Sequence, residues 1–124
     1  MIKYKRGEDV GALEPWPFDA PESRYRMLDG TPAASGRLDA GGPGDVTRFG
    51  IWRCTPGSFA CIEQGDELMT VLAGRCTLIN HSAADASVTL APGDSLFIRD
   101  QSHVTWIIHD EITKVFHGFK PEGY

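Results

Sequence analysis

TPGSFACIEQGDELMTVLAG, residues Thr55–Gly74, is followed after a short interval by LAPGDSLFIRDQSHVTW, residues Leu90–Trp106. Both stretches are short apolar runs punctuated by Gly, Pro and Asp, the texture of strands separated by turns. LAGR and APGD read as turns, each with a glycine where a side chain would clash. Within the runs, side chains alternate between faces. Glu67, Met69 and Val71 therefore share one face of their strand, and Cys61 and Glu63 share a face of the preceding one. With Met69 and Val71 directed to a core, Glu67 points inward too. A carboxylate in an apolar interior is costly unless it is paired, ligated or protonated, so Glu67 is the first candidate for chemistry.

Working outward, the same texture runs from Thr47 to the end of the chain. RFGIWRC, SFACIEQ, LMTVLAG, RCTLINH, SVTLAPG, SLFIRD, HVTWIIH and ITKVFHGF read as strands, with turn signals at steps of about 8 to 12 residues. No long helical stripe and no internal repeat interrupts them. The expectation is all-β, a closed or two-sheet antiparallel barrel over residues 46–120. Residues 1–45 differ: EPWPFDAPES, LDGTP and DAGGPGD are turn chemistry, and AASGRLDAGGPGD has a composition compatible with disorder. This part reads as an irregular N-terminal arm. Its large apolar residues Trp16, Phe18, Tyr25, Met27 and Leu28 call for cover from the barrel or from a partner subunit.

The 124 residues suit one domain with one core, and a formal net charge of -5 lacks the clustered Lys and Arg that nucleic acid requires. No segment approaches the roughly 18 apolar residues of a membrane span. Cys54, Cys61 and Cys76 are an odd number without CxxC spacing, which suggests neither a disulfide framework nor a zinc knuckle. A soluble, cytoplasmic protein with reduced thiols is expected.

At PGSFACIEQGDELMTVLAGR and LAPGDSLFIRDQSHVTW the chain resembles the cupin superfamily of small jelly-roll barrels. Glu67 and Gly74 supply the E-x6-G half of the first cupin motif, and Gly93 opens the second. GIWRCTPGSF, DELMTVLAGR, PGDSLFI and the Trp of HVTW are similar to the small cupins related to ureidoglycine aminohydrolase and to an ethanolamine-utilisation protein. The resemblance implies a single jelly-roll barrel and pairing into homodimers. It also implies a divalent metal (Mn, Fe, Zn or Ni), with Cys61, Glu63 and Glu67 at ligand positions and Val104 where the second motif carries histidine. His103, beside Val104, enters the ligand set only if the RDQSH loop shifts register; strand alternation places it at the outer rim.

Without metal, Glu63 and Glu67 could act as a general acid/base pair, because burial and a neighbouring like charge hold a proton on one of them near neutral pH. Trp106 follows Val104 by two residues and faces the same way, a flat wall for a ligand, with Met69 beside the pocket. Arg53, Arg75 and Lys114 are the basic candidates for holding an anionic group of a substrate. Cys61 reads as a small buried thiol unless a neighbouring base activates it. The functional expectation is an enzyme acting on a small polar metabolite through a carboxylate site at the barrel mouth. The alternatives are a non-catalytic small-molecule-binding or sensory cupin, or an accessory or assembly protein.

Overall fold

The computed structural model describes residues 1–19 and 24–124. Its strands are β1 (Glu14–Pro15), β2 (Tyr25–Asp29), β3 (Ala34–Gly41), β4 (Thr47–Cys54), β5 (Gly57–Ile62), β6 (Asp66–Asn80), β7 (Ala86–Leu90), β8 (Ser95–Ile98) and β9 (His103–Phe119). One short 3-10 turn over His81–Ala83 is the helical element among the described residues, and no helix there is long and apolar enough to cross a membrane.

The pairing register shows how these strands make two packed layers. β9 runs antiparallel to β4 along Ile112–Phe119 and to β5 along His103–Ile108, so β4 and β5 lie end to end on one of its edges. On the other edge β6 follows β9 from Asp66↔Phe119 to Asn80↔Val104. β3 and β2 continue the pattern beyond β4 and β5, and β8 and β7 continue it beyond β6. Each long path is bent near its middle, which folds the sheet onto itself. A single apolar cluster then joins side chains from both halves, among them Cys54, Met69, Val71, Ile98 and Ile112 from one and Phe59, Leu78, Leu90, Val104 and Ile108 from the other. Burial of each large member stabilises the fold by about 1.5–3 kcal/mol. This is the jelly-roll barrel.

The bends account for one departure from the expected strands. LAGR does not reverse the chain: β6 passes through it as one strand, with register shifts between Val71 and Cys76. Gly74 makes the bend with φ +82°, where a Cβ would lie 2.0 Å from Glu111 O. β9 likewise joins HVTWIIH and ITKVFHGF into one strand. APGD, in contrast, is a true break between β7 and β8, with Gly93 at φ +95°. A bulge and a turn use the same residue signal, and only pairing on both flanks tells them apart.

Within residues 1–45, Ala34–Gly41 forms β3, paired to β4 from Ala34↔Cys54 to Gly41↔Arg48. Composition alone left this segment compatible with disorder. Its small buried residues Ala34 and Gly36 allow close approach, and the ring of Trp16 rests where a Cβ on Gly36 would be, 2.4 Å away. Residues before β1 cross the outer face, tied by Tyr4 Oη to Asp39 Oδ2 (2.6 Å), Gly7 N to Leu72 O (3.2 Å) and Arg37 to Val10 O. Ile51, the cross-strand partner of Arg37, is fully buried there. Trp16 and Phe18 are half-buried at the barrel mouth, whereas Tyr25, Met27 and Leu28 stay exposed.

Candidate functional site

Alternation along β9 sends Ile112, Lys114 and Phe116 inward, and alternation along β4 does the same for Arg48, Trp52 and Cys54, their partners being Gly118, Lys114 and Ile112. At one end of the barrel these side chains stop filling the interior and leave a cavity of about 460 Å³. Its walls are aromatic, with Trp16, Phe18, Tyr25, Trp52, Phe59 and Trp106, and its polar groups include Glu63, Glu67, Lys114 and Arg48. An apolar cavity with a few convergent polar groups is the usual form of a small-molecule site.

The aromatic wall is continuous. Phe59 and Trp106 stack at 6.2 Å with 13° between planes, Trp52 packs against Trp106 at 5.4 Å, and Phe18 against Phe59 at 4.8 Å. Lys114 Nζ sits over both indoles, 4.6 Å from the Trp106 ring centroid and 5.0 Å from that of Trp52. The same ammonium donates to Glu67 Oε2 at 2.6 Å, with side-chain exposures of 7% for Lys114 and 12% for Glu67. Glu67 thus points inward as alternation requires, and a charge partner offsets its burial.

Glu63 has different company. It follows β5, and its backbone N–H donates to Ser102 O at 2.9 Å. Trp106 Nε1–H donates to Glu63 Oε1 at 3.2 Å, and the Cys61 thiol reaches the same oxygen at 3.5 Å. Although the residue as a whole is half-buried, its carboxyl group is enclosed by protein. That enclosure, and then the charge of Glu67, raise its pKa above the ordinary value of 4.5, against the opposing pull of Lys114, Trp106 and Cys61. The Cys61 thiol is pushed up by burial and by Glu63, so it stays protonated and unreactive at neutral pH. Burial raises Cys54 to about 12 and Cys76 to about 11.

The remaining expected site residues lie elsewhere. Met69 is 1% exposed in the core and does not line the cavity. Arg53 faces outward, donating to Thr113 Oγ1 at 3.0 Å with Glu111 at 3.7 Å, and Arg75 pairs with Asp110 at the surface. His103 is exposed on the face opposite Val104, its backbone N–H bonded to Ser82 Oγ. Arg48 and Tyr124 line the cavity without having been singled out. Arg48 was legible from its spacing to Trp52 on β4; Tyr124 was not, because it follows the last strand and returns to the mouth through Tyr124 N to Asp45 O and Gly44 N to Tyr124 O.

The donor set does not fit a divalent metal. Among the described residues no three His, Cys, Asp or Glu side chains are grouped as ligands. Cys61 keeps its proton and donates a hydrogen bond to Glu63, one oxygen of Glu67 is held by Lys114, and Val104 has no ligand atom. The cation that Glu67 meets in this cavity is the ammonium of Lys114.

Comparison with known proteins agrees with this architecture. The family described as the EutQ-like cupin domain matches residues 41–116. Among solved structures, the chain is similar to the EutQ protein of Clostridium difficile, with 14% identity over 86% of this chain and 76% of that one and a TM-score of 0.64. It is similar to a protein of unknown function from Pseudomonas syringae pv. tomato, with 21% identity over 87% of this chain, 44% of that one and a TM-score of 0.72. A cupin 2 conserved barrel domain protein of Rhodopseudomonas palustris aligns at 12% identity over 94% of this chain and 76% of that one, with a TM-score of 0.62. At these identities the likeness is one of fold. No curated protein matches in sequence.

Proposed function

The chain belongs to the EutQ-like cupin domain family, and from that premise we propose that it is an enzyme acting on a small polar metabolite by proton transfer, with Glu63 as the acid/base. The observation that carries the reading is the inequality of two carboxyl groups in one cavity: Glu67 is held by Lys114 at 2.6 Å, whereas Glu63 receives neutral donors and its pKa is raised. Pairs of carboxyl groups whose environments differ in this way divide acid and base roles. Glu67 and Lys114 act as a fixed charge pair that orients the ligand and, through Glu67, helps Glu63 keep its proton. The aromatic walls exclude water and hold an apolar or planar part of the substrate. The room left in the barrel, about 460 Å³, speaks against an interior that serves only as a structural core.

The test is Glu63→Gln, which preserves shape and can still accept from Trp106, in a screen of small polar metabolites read both by thermal shift and by turnover. Retained binding with turnover reduced at least about 100-fold supports general acid/base catalysis. Ligands that stabilise the wild type without ever being turned over would replace this reading with a non-catalytic binding or sensory cupin. We extend the proposal to a homodimer in a reducing compartment such as the cytoplasm. β2 is an edge strand with Met27 and Leu28 exposed, and the cysteines are free thiols. Sedimentation equilibrium that finds one chain per particle at micromolar concentration would remove the dimer.

A further inference from the structure

Among the described residues, the buried side-chain polar atoms without a hydrogen-bond partner are Arg48 Nε and Tyr124 Oη. Both residues line the cavity. They also lie side by side. The Arg48 guanidinium carbon is 4.0 Å from the Tyr124 ring centroid, and a Cβ on Gly118, the cross-strand partner of Arg48, would meet both Tyr124 Oη (2.3 Å) and Arg48 Cγ (3.4 Å). The group facing the Arg48 guanidinium is thus the neutral Tyr124 phenol, and neither buried donor meets an anionic acceptor among the described residues, an unmet buried donor costing about 1–3 kcal/mol.

The charge balance points to the same conclusion. Gly118 separates Arg48 on β4 from Glu67 on β6, but Glu67 is already engaged by Lys114. Among the described residues, Arg48 has no carboxylate within ion-pair distance, while Arg37, Arg53 and Arg75 each do. With Lys114 paired to Glu67, the Arg48 guanidinium is a positive charge in the cavity wall without a carboxylate of its own among the described residues. Arg24 also lines the cavity, and its NH2 group donates to Gln101 Oε1 at 3.0 Å.

We propose that Arg48 and Tyr124 form an anion subsite and that the ligand of this cavity is a small carboxylate, its two oxygens taking the Arg48 N–H and the Tyr124 O–H. The inference rests on the small-metabolite reading above and names its substrate class. A planar carboxylate matches the fork of the guanidinium, which takes its two oxygens side by side, better than a tetrahedral phosphate does.

The experiment is isothermal titration calorimetry of the full chain at constant ionic strength. The probes are acetate, glycolate and benzoate, each against its amide, together with inorganic phosphate. At least one acid is expected to bind about tenfold or more tighter than its amide, with phosphate weaker than that acid. Arg48→Met should abolish the acid preference, Tyr124→Phe should reduce it about threefold or more, and the surface control Arg75→Met should leave it intact. If Arg48→Met does not fold, Arg48→Lys, which keeps the charge without the fork, and Tyr124→Phe carry the test. Equal binding of acids and amides, no acid binding, preference for phosphate, or acid preference unchanged in both Arg48→Lys and Tyr124→Phe would each overturn the subsite. Binding is read without turnover. A failure here therefore leaves the acid/base role of Glu63 standing, and a failure of Glu63→Gln to affect turnover leaves the subsite standing.

Discussion

Glu63 and Glu67 share one cavity and one side-chain chemistry, yet the barrel treats them oppositely. Glu67, on β6, faces Lys114 across the β6–β9 seam and is locked as half of an ion pair beneath two indole rings. Glu63, just past β5, is given an indole N–H and a thiol, and among the described residues no cation bonds to it. The first arrangement stores a charge; the second makes a charge expensive and so keeps a proton available. The difference shows that position on a barrel face does not assign a role to a carboxylate. The partner opposite does.

The largest effect should come from removing the locking partner. Lys114→Met leaves Glu67 buried and uncompensated and is expected to cost about 3–5 kcal/mol in urea unfolding at neutral pH. Adding Glu67→Gln should restore much of that loss, because the double variant no longer buries a bare charge. A single-variant cost below about 1 kcal/mol would mean that the pair is not the lock described.

Glu63 should reveal itself through pH. Its folded pKa lies above the ordinary 4.5, so its protonated form favours folding. That contribution is complete below the ordinary glutamate value and is lost as pH rises through the raised folded value. Glu63→Gln should therefore be increasingly more stable than wild type from pH 4.5 upward, by up to about 1.4 kcal/mol per unit until Glu63 ionises. A stability difference flat in pH would mean that the fold does not favour the protonated form of Glu63 and would erase the contrast.

Smaller changes sharpen it. Trp106→Phe removes a donor that favours the carboxylate, so the titration midpoint of Glu63, followed by NMR of labelled glutamate side chains, should move upward. Cys61→Ala removes the weaker thiol donor and should move the midpoint in the same direction by less than Trp106→Phe does, since S–H is a poor donor. A downward shift in either variant would show that these groups do not stabilise the ionised form.

Much of the fold is legible in the sequence. The run SFACIEQ covers all of β5 but its first residue and SLFIRD contains β8, the inward face of Glu67 followed from Met69 and Val71, and Trp106 was placed at a pocket wall from its step past Val104. The site was readable in part. Lys114 was marked as a basic residue for an anionic substrate group, and the structure gives it to Glu67 instead; Arg48, which has no such partner, was passed over. Trp16 and Phe18 were expected to seek cover, and they find it by forming the lip of the cavity.

What the sequence determined by itself is local: the two-residue alternation of faces, the glycines at which the chain bends, and a composition that supports one apolar core. These need only neighbouring residues. What tertiary structure decided is which distant groups meet: Glu67 with Lys114, 47 positions apart, Glu63 with Trp106, 43 apart, and Arg48 with Tyr124 across Gly118. The same closure made Gly74 a bend inside β6 while Gly93 ends a strand. Those outcomes depend on the register of β9 between β4 and β6. A slip of one residue would turn Lys114 outward and leave Glu67 bare, so the register is set by the packing of the whole barrel.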